Sequence, residues 1–252
     1  MYEQQPPEPY VQQQPTRVAV PQGVPYVTYT ILGITILVYL AQMLSEFALG
    51  TDVPAYFGMK INEFIIQGQF WRLFTPMFLH GSILHIGFNM YALVVIGSGL
   101  ERFFGQGRFI LLYLAGAFAG NVFSFLLSPN PSLGASTAIF GLLGAQAIFL
   151  YRHREIFGGQ ARAALQNVIT IAVINFIIGL QPGIDNWGHL GGLLGGLIFT
   201  WFGGPKLTVE GMYPLLHLQD EHGSVQTVTA IAIILFVFGT LTIVGMGLFG
   251  SF

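Results

Sequence analysis

Four polar side chains lie deep inside apolar stretches of this chain: His85, Asn89, Ser136 and His189. Together they are the residue types that acyl transfer needs. A serine hydroxyl becomes a nucleophile when a neutral imidazole within hydrogen-bond reach takes its proton as the oxygen attacks a carbonyl. Ser136 stands in LGASTAIFGLLGA, just after NPSLG and at the start of an apolar run. The first turn of a helix offers free N–H groups and the positive end of the helix dipole, so an oxyanion formed there can be stabilised without a metal. His189 opens a second apolar run in DNWGHLGGLLGGL. His85 and Asn89, in HGSILHIGFNMYAL, are four residues apart and share one helix face. Asp185, four residues before His189 in QPGID, is expected to be solvated, so the unit reads as a Ser136/His189 dyad rather than a triad.

Each residue also has a reading without chemistry. A serine or threonine in a membrane helix can bond the carbonyl four residues back, and Thr137 is expected to do so with Leu133. A lone intramembrane histidine can pack or relay protons, and glycines can mean only close helix contact. The coincidence of all of them at one membrane depth is what favours catalysis. His80 and His85 are five apart, off a common helix face, and no His-Glu-x-x-His pattern occurs, so neither a metal nor another cofactor is expected.

The elements that must carry these residues follow from hydropathy and charge. The chain is 53% hydrophobic and 8% charged, with a net charge of −2, whereas soluble domains are about a quarter charged. Residues 18–45, 81–100, 109–151, 163–184, 186–205 and 222–252 contain no Asp, Glu, Lys or Arg, and a helix needs about 20 apolar residues to cross a bilayer. SPNPS, Ser128 to Ser132, divides the longest window in two. An all-α polytopic membrane protein is predicted, with helices near 26–48, 82–100, 108–127, 134–151, 163–180, 187–203 and 226–249. Gly191, Gly192, Gly195 and Gly196 on the sixth helix, facing Gly141, Gly144 and Ala145 on the fourth, would let two backbones approach and bring Ser136 and His189 together.

Residues 1–25 hold six of the 13 prolines and six glutamines. This composition is that of a disordered tail, and the first span is expected to be an uncleaved anchor. The organisation expected is a tail over 1–25, a six-helix core over 26–205, a connector over 206–225 with solvated His217 and His222, and a seventh transmembrane helix over 226–252. His153 is likewise expected to be solvated. With the N-terminus inside, Arg17, Arg102, Arg108, Arg152, Arg154, Arg162 and Lys206 collect on the cytoplasmic side. Only Lys60 and Arg72 remain outside, which places the tail and connector in the cytoplasm and the C-terminus outside. Cysteine is absent, which excludes disulfides and thiol nucleophiles.

The combination resembles the rhomboid family of intramembrane serine proteases over about residues 55–205. The family's Gly-x-Ser motif matches Gly134-Ala135-Ser136, and its His-x-x-Gly motif matches His189 through Gly192. The resemblance implies that Ser136 is the nucleophile, His189 the base, and His85 and Asn89 the oxyanion-binding residues. It gives Trp71, Arg72, His80 and Glu101 structural roles: His80 steadies the first loop, Trp71 and Arg72 carry that loop's signature in FWRLFTPMFLH, and Glu101 is a hydrogen-bonding anchor. Thr137 departs from the pattern, because the family most often has glycine after the serine. The seventh helix looks like the extra C-terminal span of some members.

The implied function is an intramembrane serine endopeptidase, in a bacterial-type cell membrane, that cleaves single-span membrane proteins near the outer face, after a small side chain. The lipid bilayer is its medium, and nucleic acid is not an expected partner. Two alternatives are a non-catalytic relative that binds membrane clients and a transporter that relays protons through its histidines. The Lys/Arg asymmetry makes the topology testable in this cysteine-free chain. Single cysteines at positions 130 and 185 should react with an impermeant thiol reagent added outside, and one at 158 should not; the reverse pattern would invert the orientation.

Overall fold

The computed structural model describes residues 20–212 and 215–250. Of the expected tail, residues 1–19 lie outside the described residues, as do 213–214 in the connector and 251–252 at the end. The seven expected long helices are present: α1 (Tyr26–Leu49), α4 (Ile83–Phe104), α5 (Gln106–Leu127), α6 (Ser136–Arg152), α7 (Arg154–Ile178), α8 (Asn186–Gly203) and α9 (Ser224–Phe249). Two short helices, α2 (Val53–Gly58) and α3 (Asn62–Ile66), and two 3-10 turns fold the first loop, with Tyr56, Phe57, Phe70 and Trp71 exposed along it. The fold is that of an all-α polytopic membrane protein. Large apolar side chains exposed along α1, α4, α7 and α9 form the surface that a bilayer would cover.

α5 is the central helix. Two thirds (67%) of its apolar window is buried, against 11% for α7, which touches mainly α6. Around α5 stand α1, α6, α8 and α9. α7 begins at Arg154, earlier than the expected 163, and turns sharply at Gly158 (φ 55°, ψ −133°). A charge-free window cannot see this extension, because Arg154, Glu155 and Arg162 lie on it.

Glycine decides how closely α5, α6 and α8 pack. A Cβ on Gly192 would collide with the Thr137 carbonyl, and one on Gly196 with the Gly141 carbonyl, so α8 lies backbone to backbone against α6. Gly191 and Gly195 face the other way, where a Cβ would meet Phe123 and Ala119 of α5 at 2.5 Å. Gly116 and Gly141 bring α5 against α6. The sequence pattern anticipated the α6–α8 contact and missed that alternate glycines of the same helix serve α5.

α1 starts at Tyr26 with no side-chain cap of its own. The Glu101 carboxylate supplies one from α4, accepting from the Val27 and Thr28 amides at 2.9 and 2.8 Å and from the Thr28 hydroxyl at 2.7 Å. A carboxylate at a helix N-terminus satisfies orphan donors and complements the dipole, so its burial is compensated. The connector contains an antiparallel hairpin, β1 (Leu207–Glu210) with β2 (His217–Asp220), fastened to α5 by the Arg108–Asp220 ion pair at 2.7 Å. His217 is exposed on it. His153 is not solvated as expected. It is 2% exposed, with Nδ1 2.7 Å from the Phe149 carbonyl and Nε2 accepting from the Leu207 amide at 2.9 Å, because the hairpin closes over it.

Gly196→Ala should therefore force α8 off α6 and lower stability by roughly 1–3 kcal/mol or more, as overpacking does. Gly99→Ala, where nothing lies within 4 Å, should be neutral or slightly stabilising. Thermal unfolding of the purified variants in detergent compares them, and equal melting temperatures would contradict this packing.

Candidate functional site

Ser136 is the first residue of α6. Seventeen residues give a helix of about 26 Å at 1.5 Å per residue, shorter than the roughly 30 Å hydrocarbon core. Ser136 therefore opens a helix that cannot reach across alone. The chain enters it through Gly134, whose φ of 134° a side-chain-bearing residue avoids. A Cβ there would also lie 2.8 Å from the His85 ring, so glycine is required on both counts. The Gly134 amide donates to the Pro76 carbonyl at 2.9 Å, and the Ala135 amide lies 3.4 Å from His80 Nε2.

His189 is 7% exposed in the first turn of α8, with Nε2 3.0 Å from Ser136 Oγ. Its ring stacks on Phe140 at 4.3 Å between centroids and 9° between planes. Phe140 is four residues after Ser136 and so on the same helix face; that spacing was a usable signal, but it was missed. His189 Nδ1 is buried with no hydrogen-bond partner among the described residues. Asp185 does not reach it, nor is Asp185 simply solvated. Its carboxylate caps α8, accepting from the Gly188 amide at 2.9 Å, and accepts a hydrogen bond from the Ser124 hydroxyl of α5. The capping distance of three residues explains the correction: this is an N-cap aspartate.

His85 and Asn89 line the same cavity as Ser136 and His189, a space of about 900 Å³ walled also by Ile139 and Phe140 and, from α7, Ile171 and Asn175. Asn89 Nδ2 donates to the backbone carbonyl of His85, one turn back, at 2.9 Å. The cavity thus gathers the Ser136 hydroxyl, two imidazoles and the Asn89 amide, with Asp185, Asn175 and the Ser128, Asn130 and Ser132 turn as further polar lining among apolar walls.

The remaining expected residues lie outside the cavity lining. Arg72 is buried under the first loop, donating to the Met59 and Tyr56 carbonyls at 2.7 and 2.9 Å and to Gln69 Oε1 at 2.8 Å, with its guanidinium over the Phe64 ring. Trp71 is half exposed and donates from Nε1 to the Phe57 carbonyl at 3.0 Å. His80 is 1% exposed, and its backbone is clamped from both sides by the Gln42 side chain of α1. Burial, helped by the neighbouring His85, pulls the His80 pKa down to about 4. The neutral ring can then accept from Ala135. Gln42 is a further residue that nothing in the sequence pattern had singled out. Thr137 departs from expectation: its hydroxyl is buried without a partner among the described residues, and its methyl group packs against Gly120 and Gly188. Its backbone is ordinary, since no described non-glycine residue has a positive φ.

A family model described as the Rhomboid domain matches residues 67–206, more than half of the chain. The chain belongs to the rhomboid family. It is 42% identical over 187 residues to Rhomboid protease GluP of Bacillus subtilis (strain 168), covering 73% of this chain and 36% of that protein. RHOMBOID-like protein 9, chloroplastic, of Arabidopsis thaliana is 33% identical over 157 residues, 62% of this chain and 36% of that protein. RHOMBOID-like protein 5 of the same plant is 33% identical over 204 residues, 74% of this chain and 65% of that protein. The chain thus spans only about a third of the length of the first two of these rhomboid relatives.

A histidine whose folded pKa is about 4 against an ordinary 6.5 stabilises the fold fully above pH 6.5, and that contribution is lost as pH falls through 4. The melting temperature of the wild type should therefore drop further between pH 7 and pH 4 than that of His80→Gln. Parallel drops would show that the His80 ring is not held neutral by its surroundings.

Proposed function

We propose that this rhomboid is an intramembrane serine endopeptidase that uses Ser136 and His189 to cleave transmembrane segments of other membrane proteins. The observation that carries the reading is the 3.0 Å approach of His189 Nε2 to Ser136 Oγ inside a cavity that His85 and Asn89 also line. For Nε2 to accept the serine proton, the neutral ring must carry its hydrogen on Nδ1. As Oγ attacks the scissile carbonyl, its proton passes to Nε2 and the carbonyl oxygen becomes an oxyanion. Asn89 Nδ2, the His85 ring and the free N–H groups of the first turn of α6 are its stabilisers. His189 then gives the proton to the leaving amine. A water, deprotonated by the same nitrogen, hydrolyses the acyl-enzyme and restores both residues.

With no carboxylate on Nδ1 among the described residues, the ring is oriented by its stack on Phe140 and by its helix position. Hydrolysis needs water, so the cavity must be open to an aqueous face, which the Lys/Arg bias puts outside. Substrates are single-span proteins whose helices weaken enough to expose a peptide bond. A client-binding relative without chemistry would need none of this convergence, and labelling by a fluorophosphonate separates the two.

The dyad should behave as one unit. Ser136→Ala and His189→Ala should each abolish cleavage of a single-span substrate in reconstituted vesicles, and the double variant should be no worse than either. Asn89→Ala should be slower by on the order of 10²-fold yet still active, because one oxyanion donor of several is lost. Substantial turnover by either dyad variant would overturn the mechanism.

A further inference from the structure

Among the described residues, Lys60 is the most buried charged side chain outside the cavity, with no exposed surface, and the chemistry proposed above makes no use of it. It lies between α2 and α3 in the first loop, yet all its polar contacts are with the segment that leads to Ser136. Its ammonium donates to the carbonyls of Ser128 and Asn130, both at 2.9 Å. Its backbone forms an isolated antiparallel bridge with Ser132, with N–H to carbonyl distances of 2.9 and 3.1 Å. Asn62, two residues on, donates from Nδ2 to the Phe125 and Ser128 carbonyls at 3.1 and 3.0 Å. These carbonyls include the last, unpaired ones of α5, where a cation is favoured by the helix dipole.

Residues 128–135 contain no helix of their own, so their course is set by what they dock on. Their anchors follow in order: the Lys60 ammonium at 128 and 130, the Lys60 backbone at 132, the Pro76 carbonyl at 134 and His80 at 135. The turn is also joined to the other half of the site. Asp185, which caps α8 four residues before His189, attracts the Lys60 charge, and Ser124 joins Asp185 to Ser132 through its hydroxyl, 3.3 Å from Ser132 Oγ. Glu63 adds a second, weaker attraction.

We infer that Lys60 is a positioning residue: by pinning the Ser128–Ser132 turn to the first loop, it fixes Ser136 relative to His189. The inference rests on the proposed roles of that pair. Burial lowers the Lys60 pKa to about 8, so the side chain is still mainly charged at neutral pH. Removing the ammonium loosens a turn that leads to Ser136 and itself lines the cavity, and misplacement of about 1 Å at a reacting group is costly in rate, while the α4 and α7 walls of the cavity stay in place.

The test uses the full chain in detergent and in vesicles. Lys60→Met keeps the length and removes the donors. It should retain a cooperative thermal transition and a KM within twofold of wild type, while kcat and the rate of fluorophosphonate labelling at Ser136 fall together by tenfold or more. A single cysteine at position 130 should react with a thiol reagent several-fold faster in the Lys60→Met background. If Lys60→Met does not fold, Lys60→Gln, which keeps one donor group, is read in the same way. Labelling and kcat within twofold of wild type in a folded variant overturn the inference, as does an unchanged thiol rate. A wild-type protein that neither labels nor cleaves overturns the proposed chemistry instead, and the thiol rate at position 130 still decides whether Lys60 holds the turn.

Discussion

The structure depends on backbone contact between α5, α6 and α8. Lipid tails are as apolar as leucine, so burial alone gives these helices little reason to associate, and close packing has to do it. Gly116, Gly141, Gly192 and Gly196 remove the side chains that would keep the helix axes apart. The consequence reaches the site directly. Ser136 and His189 are each in the first turn of a helix, and those two helices touch within one or two turns of them, through Thr137 against Gly192 and Gly141 against Gly196. Their separation is therefore a property of a rigid contact and not of two flexible side chains.

What glycine does between helices, buried polar groups do between helices and loops. Glu101 caps α1 from α4, Asp185 caps α8 and accepts from α5, Arg72 gathers the carbonyls of the first loop, and His80 holds the amide beside Ser136. Each is a charged or polar group deep in an apolar protein, where an unpaired partner is expensive. Such groups tolerate few alternative arrangements, so they specify loop paths that apolar packing alone would leave degenerate. Gln42 makes the logic plain: one amide on α1 bonds both the N–H and the carbonyl of His80 and also reaches Asp52 at 2.7 Å.

This division explains what could be read from the sequence. Helices were legible because length and the absence of charge report directly on a bilayer, and the gathering of Ser136, His189, His85 and Asn89 at one cavity was legible because polar groups are rare within such apolar stretches. The glycine runs pointed to close packing but not to its two faces. Partners remote in sequence were illegible: Lys60 with Ser128, Gln42 with His80 and His153 with Leu207 are separated by 68, 38 and 54 positions, and no local pattern encodes them. Asp185 and Thr137 failed for different reasons. An aspartate three residues before a buried amide is a cap, a local signal that was there to be used. The hydroxyl of Thr137 has no partner among the described residues, while its methyl group packs against Gly120 and Gly188, a tertiary contact that overrode the local bond.

The cavity's walls are unequal, and this bears on how a peptide chain could enter it. On one side stand α6 and α8, locked through glycine, with α9 packed behind α8 and α5 by way of Ala230 at Gly203 and Gly245 at Phe125 and Leu126. Moving any of these would separate Ser136 from His189 or open the central core. On the other side, Ile171, Asn175 and Ile178 belong to α7, whose apolar window is 11% buried and whose first turn is broken at Gly158. Local opening draws on the least-packed element of a fold, since the free energy lost scales with the contacts given up. Displacement of α7 spares the backbone contact of α5, α6 and α8, but gives up the edge-on packing of Phe176 on Phe140 at 5.3 Å and the hydrogen bond from Asn186 Nδ2 to the Phe176 carbonyl at 3.1 Å, both beside His189. The least-packed wall is thus tied to His189 through Phe140, the ring on which the histidine stacks.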